Sequence, residues 1–304
     1  MSSQTQNLPF TKVGIGMPVY NGERYIEESI KSNLCQTYDD FTLIISDNAS
    51  SDRTQEICLD YASQDKRIHY IHNPTNLGAS KNYTRCFEPA NCEYFRWSNA
   101  DDLIEPSQIE QCVKVLDENS DTVLTYGKTM IIDDSGKLTE HYDDHLDLRQ
   151  DSAAERFITG IKSIGLSNVL YGLMRRDQLA KTALLGNYIA SDINLIIELT
   201  LYGKFHELPD YLFSRRMHPE ASSWDRSDEE TQREFWDTSK KKLWFQHTRA
   251  MYEYFRAVKR APIPLKEKKE IFILLTRIVN WRKDKLFNEF IDFTKYNTLK
   301  RFKN

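Results

Sequence analysis

The chain has 304 residues, of which 40% are hydrophobic and 12% aromatic, enough for a sizeable core, and this composition excludes a disordered chain. The net charge of −4 conceals an asymmetry, since residues 240–304 carry 18 Lys or Arg against 6 Asp or Glu and the remainder carries 23 against 39. No apolar run approaches the roughly 20 residues of a membrane-spanning helix, and the first twelve residues lack the pattern of a secretory signal, so we expect a cytoplasmic chain.

Short β-branched runs alternate with segments of helical period through the first half of the chain, which is typical of a parallel sheet with crossover helices. In chain order we predict a strand at 13–19, a helix at 23–36, a strand at 41–46, a helix at 52–63, a strand at 67–72, a helix at 78–88, a strand at 93–98 and a helix at 105–118. Asp52 and Gln55 form a predicted capping box at the start of the second helix.

The second half opens with a predicted strand at 122–132, followed by a turn at 133–136 and an irregular acidic loop at 141–151. Helices are predicted at 153–160, 176–184 and 192–202. Beyond residue 221 the pattern changes to long amphipathic helices that are broken at 262–264. We therefore predict an α/β domain over residues 1–222 and a basic helical region over residues 223–304.

The first predicted strand ends in a turn that carries Pro18, Tyr20 and Asn21, where a base or a ribose can rest. The Gly14-Ile-Gly16 segment inside this strand does not indicate a dinucleotide site, because Val19 stands where the third glycine of that fingerprint belongs. No helix follows directly to hold a pyrophosphate. The sequence therefore favours a nucleotide site of another kind.

Four segments at predicted strand ends, taken together and in this order, resemble the nucleotide-sugar half of the family 2 glycosyltransferases, over residues 12 to about 220. The segments are Met17-Pro-Val-Tyr-Asn21, Ser46-Asp-Asn-Ala-Ser-Ser-Asp52, Asn76-Leu-Gly78 and Ser98-Asn-Ala-Asp-Asp102. The resemblance implies a GT-A fold, with a Rossmann-like, mostly parallel sheet flanked by helices. It also implies a nucleoside-diphosphate sugar as donor and an acidic motif that holds a divalent cation on the diphosphate.

Asp101 and Asp102 directly follow a predicted strand, at the position where open α/β sheets bind their ligands. A departing diphosphate accumulates negative charge, which Mg²⁺ or Mn²⁺ stabilises, and such hard cations prefer carboxylate oxygens. We expect Asp102 to bind the cation and Asp101 to bind the ribose, because adjacent side chains diverge at a strand end. The alternative is that Asp101 caps the following helix. Asn99 stands where the family often has a third acid.

Asp47 and Asn48 follow the second predicted strand, where the resemblance places recognition of the nucleobase. A carboxylate or amide oxygen there can accept a hydrogen bond from uracil or guanine, so a UDP- or GDP-type donor is expected. The alternative is a local turn in which the two side chains bond to their own backbone. Tyr20 can cover the base by stacking, and Lys81 can approach the diphosphate.

The segment Ser191-Asp192 resembles the Glu-Asp motif of the family, whose Asp is the general base, with Ser in place of Glu. Asp192 is therefore the candidate that activates the acceptor hydroxyl, and an N-capping Asp is the alternative. Further on, Tyr211-Leu-Phe-Ser-Arg-Arg-Met-His218 resembles the strand ending in Arg-x-His that closes the catalytic domain of the family. Arg216 is expected to pair with phosphate oxygens, and His218 is expected to bind the cation or a phosphate oxygen.

These residues predict an inverting glycosyltransferase that moves a monosaccharide from a nucleoside diphosphate to a hydroxyl of a polysaccharide, a lipid-linked glycan or a protein. A non-catalytic protein that binds sugar nucleotides or glycans on the same fold is one alternative. A sugar-1-phosphate nucleotidylyltransferase is another, although the glycine-rich basic loop that it needs after the first strand is missing.

The basic region over residues 223–304 carries no motif that assigns it a chemistry. Its helical spacing predicts packing on the catalytic unit or a homodimer contact. Peripheral contact with the inner face of a membrane is the alternative. Nothing in the sequence resembles a nucleic-acid-binding module.

Overall fold

Nine strands form one mixed sheet in the part of the chain that the computed structural model describes, which is residues 8–219, 221, 235 and 244–301. The strands are β1 (Thr11–Val19), β2 (Phe41–Asp47), β3 (Ile68–His72), β4 (Cys92–Trp97), β5 (Leu103–Ile104), β6 (Thr122–Ile132), β7 (Leu138–Tyr142), β8 (Leu173–Arg175) and β9 (Lys204–Arg216). Their order in the sheet is β3-β2-β1-β4-β8-β6-β9-β5, and β7 pairs with β6.

The helices of the described residues cover both faces of this sheet and continue into the C-terminal region. They are α1 (Ile26–Leu34), α2 (Thr54–Gln64), α3 (Ala79–Phe87), α4 (Gln108–Glu118), α5 (Ala153–Ser163), α6 (Arg176–Leu179), α7 (Ser191–Leu199), α8 (Gln246–Arg260), α9 (Leu265–Trp281) and α10 (Lys283–Arg301), with a 3₁₀ turn at Asn168–Tyr171. None of them is both long and apolar enough to cross a bilayer.

Strand directions bring the carboxyl ends of six strands to one edge of the sheet, which we call the carboxyl edge. β1 is parallel to β2 and β4, and β2 is parallel to β3. β8 runs antiparallel to both β4 and β6, so β6 has the direction of β4, and β9 is parallel to β6. The loops after β1, β2, β3, β4, β6 and β9 therefore meet at the edge where such sheets bind ligands.

Alternation along β1 separates the core into two layers, because successive side chains point to opposite faces. Ile15 and Met17 are fully buried among residues of α1, α2 and α4. On the opposite face a Cβ added to Gly16 would lie 2.6 Å from Cβ of Cys86 and 2.7 Å from the ring of Phe95. The Gly-x-Gly segment thus admits close packing of α3 and β4, which agrees with our rejection of a dinucleotide fingerprint.

The C-terminal helices pack on α5 and α7 through a third apolar layer that includes Phe157, Ile197 and Leu275. An ion pair with a buried carboxylate accompanies this packing, in which Nε of the partly exposed Arg260 side chain lies 2.8 Å from the carboxylate of Glu198. These contacts confirm that the region packs on the α/β unit. The domain boundary predicted at residue 222 lies outside the described residues and stays a prediction.

Most predicted elements agree with the structure, and β6 has the predicted bounds. The predicted loop at 141–151 begins inside a strand, β7 (Leu138–Tyr142), and the helix predicted at 176–184 ends at Leu179. The short strands β5 and β8 were not predicted. The capping box is wrong, since the carboxylate of Asp52 accepts the N–H groups of Thr54 and Glu23 instead.

Candidate functional site

Asn21 connects the loops after β1 and β2 at the carboxyl edge. Its backbone has a positive φ of 50°. Its N–H donates to Oγ of Ser50 over 2.9 Å, and its Oδ1 accepts the N–H of Ser51 over 2.9 Å. Pro18 is buried at the end of β1, whereas Tyr20 is 51% exposed. Of the three residues predicted here, Tyr20 exposes its side chain, Pro18 is buried and Asn21 shapes the loop. Contact of Tyr20 with a base stays a prediction.

Asp47 and Asn48 are both buried, and their side chains hold neighbouring loops. The carboxylate of Asp47 accepts the hydroxyl of Tyr70 over 2.7 Å and the N–H of Ser50 over 2.9 Å. Oδ1 of Asn48 accepts the N–H of Leu77 over 2.8 Å. Only the bond to Ser50 is of the local kind that we weighed as the alternative, since the other two join residues 23 and 29 positions apart. A role in reading the base stays a prediction.

The two acids after β4 lie in different environments. Asp102 is buried, with one carboxylate oxygen 2.9 Å from the N–H of Arg216 and the other 2.8 Å from Nδ2 of Asn99. Burial, and then the adjacent charge of Asp101, raise the pKa of Asp102 above its ordinary value. Asp101 keeps 30% of its side chain exposed, and its Oδ2 lies 3.0 Å from Nε2 of His218.

His218 is 4% exposed and follows the end of β9, with its ring centroid 4.8 Å from that of Tyr25. Nδ1 of His218 is buried and has no hydrogen-bond partner among the described residues. The 3.0 Å between Nε2 of His218 and Oδ2 of Asp101 is the distance of a hydrogen bond or an ion pair between the two side chains. The predicted cation ligands Asp102 and His218 are both buried, and binding of a cation by them stays a prediction.

No three His, Cys, Asp or Glu side chains converge on a common point within the described ranges. A hard cation of this kind is usually held by one or two protein oxygens together with substrate phosphates and water. Of the two acids after β4, Asp101 is the one whose carboxylate is partly exposed at this edge.

The side chain of Arg216 bonds to residues around the site and does not face solvent. Its guanidinium donates to the carbonyl of Asp101 over 3.0 Å, to the carbonyl of Asp134 over 3.2 Å and to the carboxylate of Glu28 over 2.7 Å. It also lies 4.7 Å from the ring centroid of Tyr25. Because these donors are engaged and the side chain is 2% exposed, Arg216 does not present its guanidinium to a phosphate as we expected.

Lys81 lies in the first turn of α3, which begins after Gly78 with a φ of 80°. Its side chain is exposed, and within the described residues it forms no ion pair. The start of α3 follows the carboxyl end of β3, so Lys81 stands near the edge where the predicted diphosphate would lie. Contact with phosphate stays a prediction.

Asp192 is partly buried in the first turn of α7. The segment before α7 reaches the carboxyl edge, since Oγ of Ser80, at the start of α3, donates to the carbonyl of Leu185 over 2.6 Å. The chain then returns to the opposite edge, where β9 begins with Lys204 paired to Thr122. The first turn of α7 therefore lies on the carboxyl-edge side of the sheet, and the charge of Asp192 acts on the hydroxyl of Tyr254 in α8. Its placement opposite Asp101 and His218 stays a prediction.

Sequence reasoning missed a polar cluster behind Asp102. The hydroxyl of Tyr83 donates to Oδ1 of Asn99 over 2.8 Å, and Arg215 donates to Oδ1 of Asn168 over 2.6 Å. Asp144 accepts the N–H of Asn168 over 3.3 Å, while its other oxygen is buried with no partner in the described parts of the chain. No periodicity or motif marks these residues, because they meet only through the packing of loops on β9.

Asp144→Asn is expected to change how stability depends on pH. Burial raises the pKa of Asp144 from 3.8 to about 7, so ionisation penalises the folded state as pH rises through this window. Relative to wild type, the variant should gain about 3 kcal/mol of unfolding free energy between pH 4 and pH 8. Urea unfolding of both proteins at the two pH values measures the gain, and parallel pH profiles would contradict it.

The sequence pattern of glycosyl transferase family 2 matches residues 15–176, more than half of the chain. The chain belongs to glycosyl transferase family 2. An uncharacterized glycosyltransferase of Methanocaldococcus jannaschii is 33% identical over 132 residues, which cover 43% of this chain and 46% of the relative. The putative glycosyltransferase EpsE of Bacillus subtilis is 33% identical over 126 residues, which cover 41% of this chain and 45% of the relative. The match thus spans less than half of either relative.

Solved structures of S. aureus TarS share the fold of this family member. TarS 1-349 in complex with UDP-GlcNAc gives a TM-score of 0.66 at 17% identity, over 93% of this chain and 80% of that chain. TarS 1-349 in complex with UDP gives 0.60 at 17% identity, over 84% and 68%. The likeness confirms the predicted GT-A fold, followed by C-terminal helices.

Proposed function

We propose that this protein transfers a monosaccharide from a nucleoside-diphosphate sugar to a hydroxyl acceptor, in one displacement that inverts the configuration at the reacting carbon. The observation that carries the proposal is the partly exposed carboxylate of Asp101 beside the buried His218 at the carboxyl edge, the side of the sheet on which α7 begins. The TarS complexes with UDP and UDP-GlcNAc support a UDP-type donor. A GDP-type donor is the alternative.

On the leaving-group side, Asp101 and His218 would hold Mg²⁺ or Mn²⁺, which neutralises charge on the departing diphosphate when it is bound. Arg216 positions this pair, because it is bonded to the backbone of Asp101 and its own N–H fixes Asp102. Asp102 is thereby proposed to have a structural role, because its carboxylate holds the loop after β4 against β9. Tyr20 is proposed to cover the base.

On the acceptor side, the carboxylate of Asp192 is proposed to take the proton of the attacking hydroxyl. The oxygen forms its bond to the reacting carbon of the sugar while the bond to the diphosphate breaks, and the electron pair leaves with the diphosphate. The proton then passes from Asp192 to solvent. No covalent intermediate between sugar and protein is required.

The acceptor is proposed to be a hydroxyl of a glycan, in polysaccharide or glycoconjugate synthesis. A lipid-linked or protein acceptor would use the same chemistry at the reacting centre. A non-catalytic protein that binds sugar nucleotides differs in one observable respect, since it would bind the donor and release no diphosphate from it.

Thermal denaturation with UDP, GDP and UDP-GlcNAc, each with Mn²⁺ or with a chelator, tests the donor site. Bound nucleotide at about 100 times its Kd adds about 2.7 kcal/mol, so we expect the midpoint to rise by several degrees with UDP and Mn²⁺. Free uridine is the matched control, because it lacks the diphosphate. Absence of any nucleotide response contradicts the proposed function, whereas a response that survives the chelator contradicts only the cation site.

A further inference from the structure

The outward side of α9 is an apolar surface bordered by cations. A shallow depression of about 510 Å³ lies on it, and the lining residues that the structure describes all belong to this one helix. Three of them are apolar, three are cationic and none is acidic. We call these six residues the α9 face; they are Leu265, Phe272 and Ile273 together with Lys268, Lys269 and Arg277.

The inward side of α9 fixes the orientation of the helix. Ile271 and Leu275 are fully buried in the third apolar layer. The carboxylate of Glu267 accepts the N–H of a residue in the first turn of α5 over 2.8 Å. Because an α-helix has about 3.6 residues per turn, Leu265 and Ile273 lie on the other side, and they are 83% and 47% exposed. The packing of α9 therefore leaves these two side chains at the surface.

The cations of the α9 face are available to a ligand. Lys269 and Arg277 are exposed, and neither forms an ion pair or a side-chain hydrogen bond with any residue that the structure describes. Lys268 donates to a backbone carbonyl of α8 over 2.9 Å. Residues 265–285 carry seven Lys or Arg against three Asp or Glu, and one of these acids, Glu267, is the one bonded to α5. The surface therefore has an excess of positive charge.

Exposed apolar side chains are concentrated in the same part of the chain. Of the twelve large hydrophobic side chains that are exposed in the described residues, half lie on α9 and α10. They are Leu265, Ile273, Trp281, Phe287, Phe290 and Tyr296. Leu, Phe and Trp combined with Lys and Arg is the composition of helices that lie in the interface of a bilayer, where the apolar groups reach the acyl chains and the cations meet the headgroups.

The composition of the α9 face favours a lipid surface over a second copy of this chain. In a two-fold dimer the same patch meets itself, so Lys269 and Arg277 would oppose the same cations of the other copy. A docked helix requires a groove between two elements, whereas this lining comes from one helix. An anionic bilayer satisfies both groups of residues, because negative headgroups lie above an apolar layer.

We propose that the α9 face docks on the surface of an anionic phospholipid bilayer, with Leu265 and Ile273 inserted between the headgroups and Lys269 and Arg277 paired with lipid phosphates. The inference goes beyond the proposed function, because binding to a bilayer requires neither the donor nor its cation. It assigns to the C-terminal helices the attachment of the catalytic unit to a membrane surface.

Flotation of the full chain with vesicles of equal parts phosphatidylglycerol and phosphatidylcholine tests this proposal, and vesicles of phosphatidylcholine alone are the neutral comparison. We expect the wild type to bind the anionic vesicles, and to bind them more weakly as salt is added. Lys269→Gln combined with Arg277→Gln should weaken binding about 25-fold, because each cation near an anionic surface contributes about fivefold. Leu265→Ala should weaken binding roughly tenfold, because an inserted apolar group is lost.

Two control variants match these changes on other surfaces. Lys66→Gln combined with Lys114→Gln removes the same charge, since both residues are exposed and lie in the α/β unit, away from α9. Leu59→Ala removes the same apolar group, since Leu59 is 49% exposed on α2. Both controls should bind the anionic vesicles as the wild type does.

A wild type that does not bind the anionic vesicles overturns the docking proposal, as does equal binding by the wild type and both variants of the α9 face. Equal losses in the control variants also overturn it, because binding would then follow from the overall composition of the surface. If Leu265→Ala converts a dimer into a monomer in ultracentrifugation without vesicles and leaves vesicle binding unchanged, the face joins two copies of this chain instead.

The docking proposal and the proposed function fail separately. Every variant named here should keep the thermal response to UDP, because none of the changed residues lies at the carboxyl edge. Loss of that response in the wild type is the failure of the proposed function and leaves the vesicle result standing. Thermal denaturation of each variant identifies any that has not folded.

Discussion

Asp192→Asn is expected to lower the rate at which UDP is released from the UDP-sugar donor by about 10²–10⁴-fold, the usual contribution of a general base. The amide has nearly the shape of the carboxylate but cannot accept the proton of the attacking hydroxyl near neutral pH. Because Asp192 lies in the first turn of α7 and not among the loops that carry Asp101, the variant should keep its thermal response to UDP. A coupled assay for free UDP, with the preferred glycan or with water as acceptor, measures the loss.

Asp177→Asn is the control for this experiment, since Asp177 is an exposed acid on the short helix α6 whose carboxylate contacts Lys181 and Gln178 at the surface. It should release UDP at the wild-type rate. If Asp192→Asn retains more than about a tenth of wild-type activity with an unchanged melting temperature, proton transfer depends on another group.

Asp101→Asn is expected to abolish the effect of the cation on donor binding. The carboxylate oxygen that faces His218 supplies the only negative charge we assign to the cation from the protein, and the cation contributes several kcal/mol to the charge balance of the diphosphate. We expect UDP to bind about 100-fold more weakly in the presence of Mn²⁺ and equally with or without chelator. Calorimetric titration of UDP under both conditions measures the change.

Asp134→Asn is the matched variant, because Asp134 is an acid near the same edge whose carboxylate bonds to Arg24 and Tyr25 and not to His218. It should retain the response to Mn²⁺. Should Asp102→Asn remove that response while Asp101→Asn preserves it, the cation belongs to Asp102, as the sequence led us to expect.

The position of the site could be predicted from the sequence, because it depends on local pattern. Parallel strands bring their carboxyl ends to one edge, so polar segments after the strands that end at Val19, Asp47 and Trp97 had to meet there. The acidic pair was placed at this edge for the same reason, whereas the Arg-x-His segment was placed at a strand end by its resemblance to the family. Strand ends are fixed by short-range alternation, which one sequence reveals.

The division of roles within the site could not be predicted, because it depends on contacts between distant parts of the chain. Asp102 is enclosed because the register of β9 places the N–H of Arg216 against it, 114 residues later. The guanidinium of Arg216 is engaged within the protein, because it donates a hydrogen bond to the carboxylate of Glu28, 188 residues earlier. Neither neighbour can be identified from the local sequence pattern. The sequence alone therefore does not distinguish the buried Asp102 from the partly exposed Asp101, nor does it indicate that Arg216 is engaged by other residues.

Because Glu198 lies in the α/β unit and Arg260 in the C-terminal helices, their ion pair makes evolutionary changes in one region depend on the other. Glu198 is 3% exposed on α7 and also accepts the N–H of Ala183. If the C-terminal helices were exchanged for others, the carboxylate of Glu198 would stay buried without its cation, in the helix that bears Asp192. Recombination that grafts a new C-terminal module onto this scaffold must therefore bring a substitute cation or mutate Glu198 at the same step.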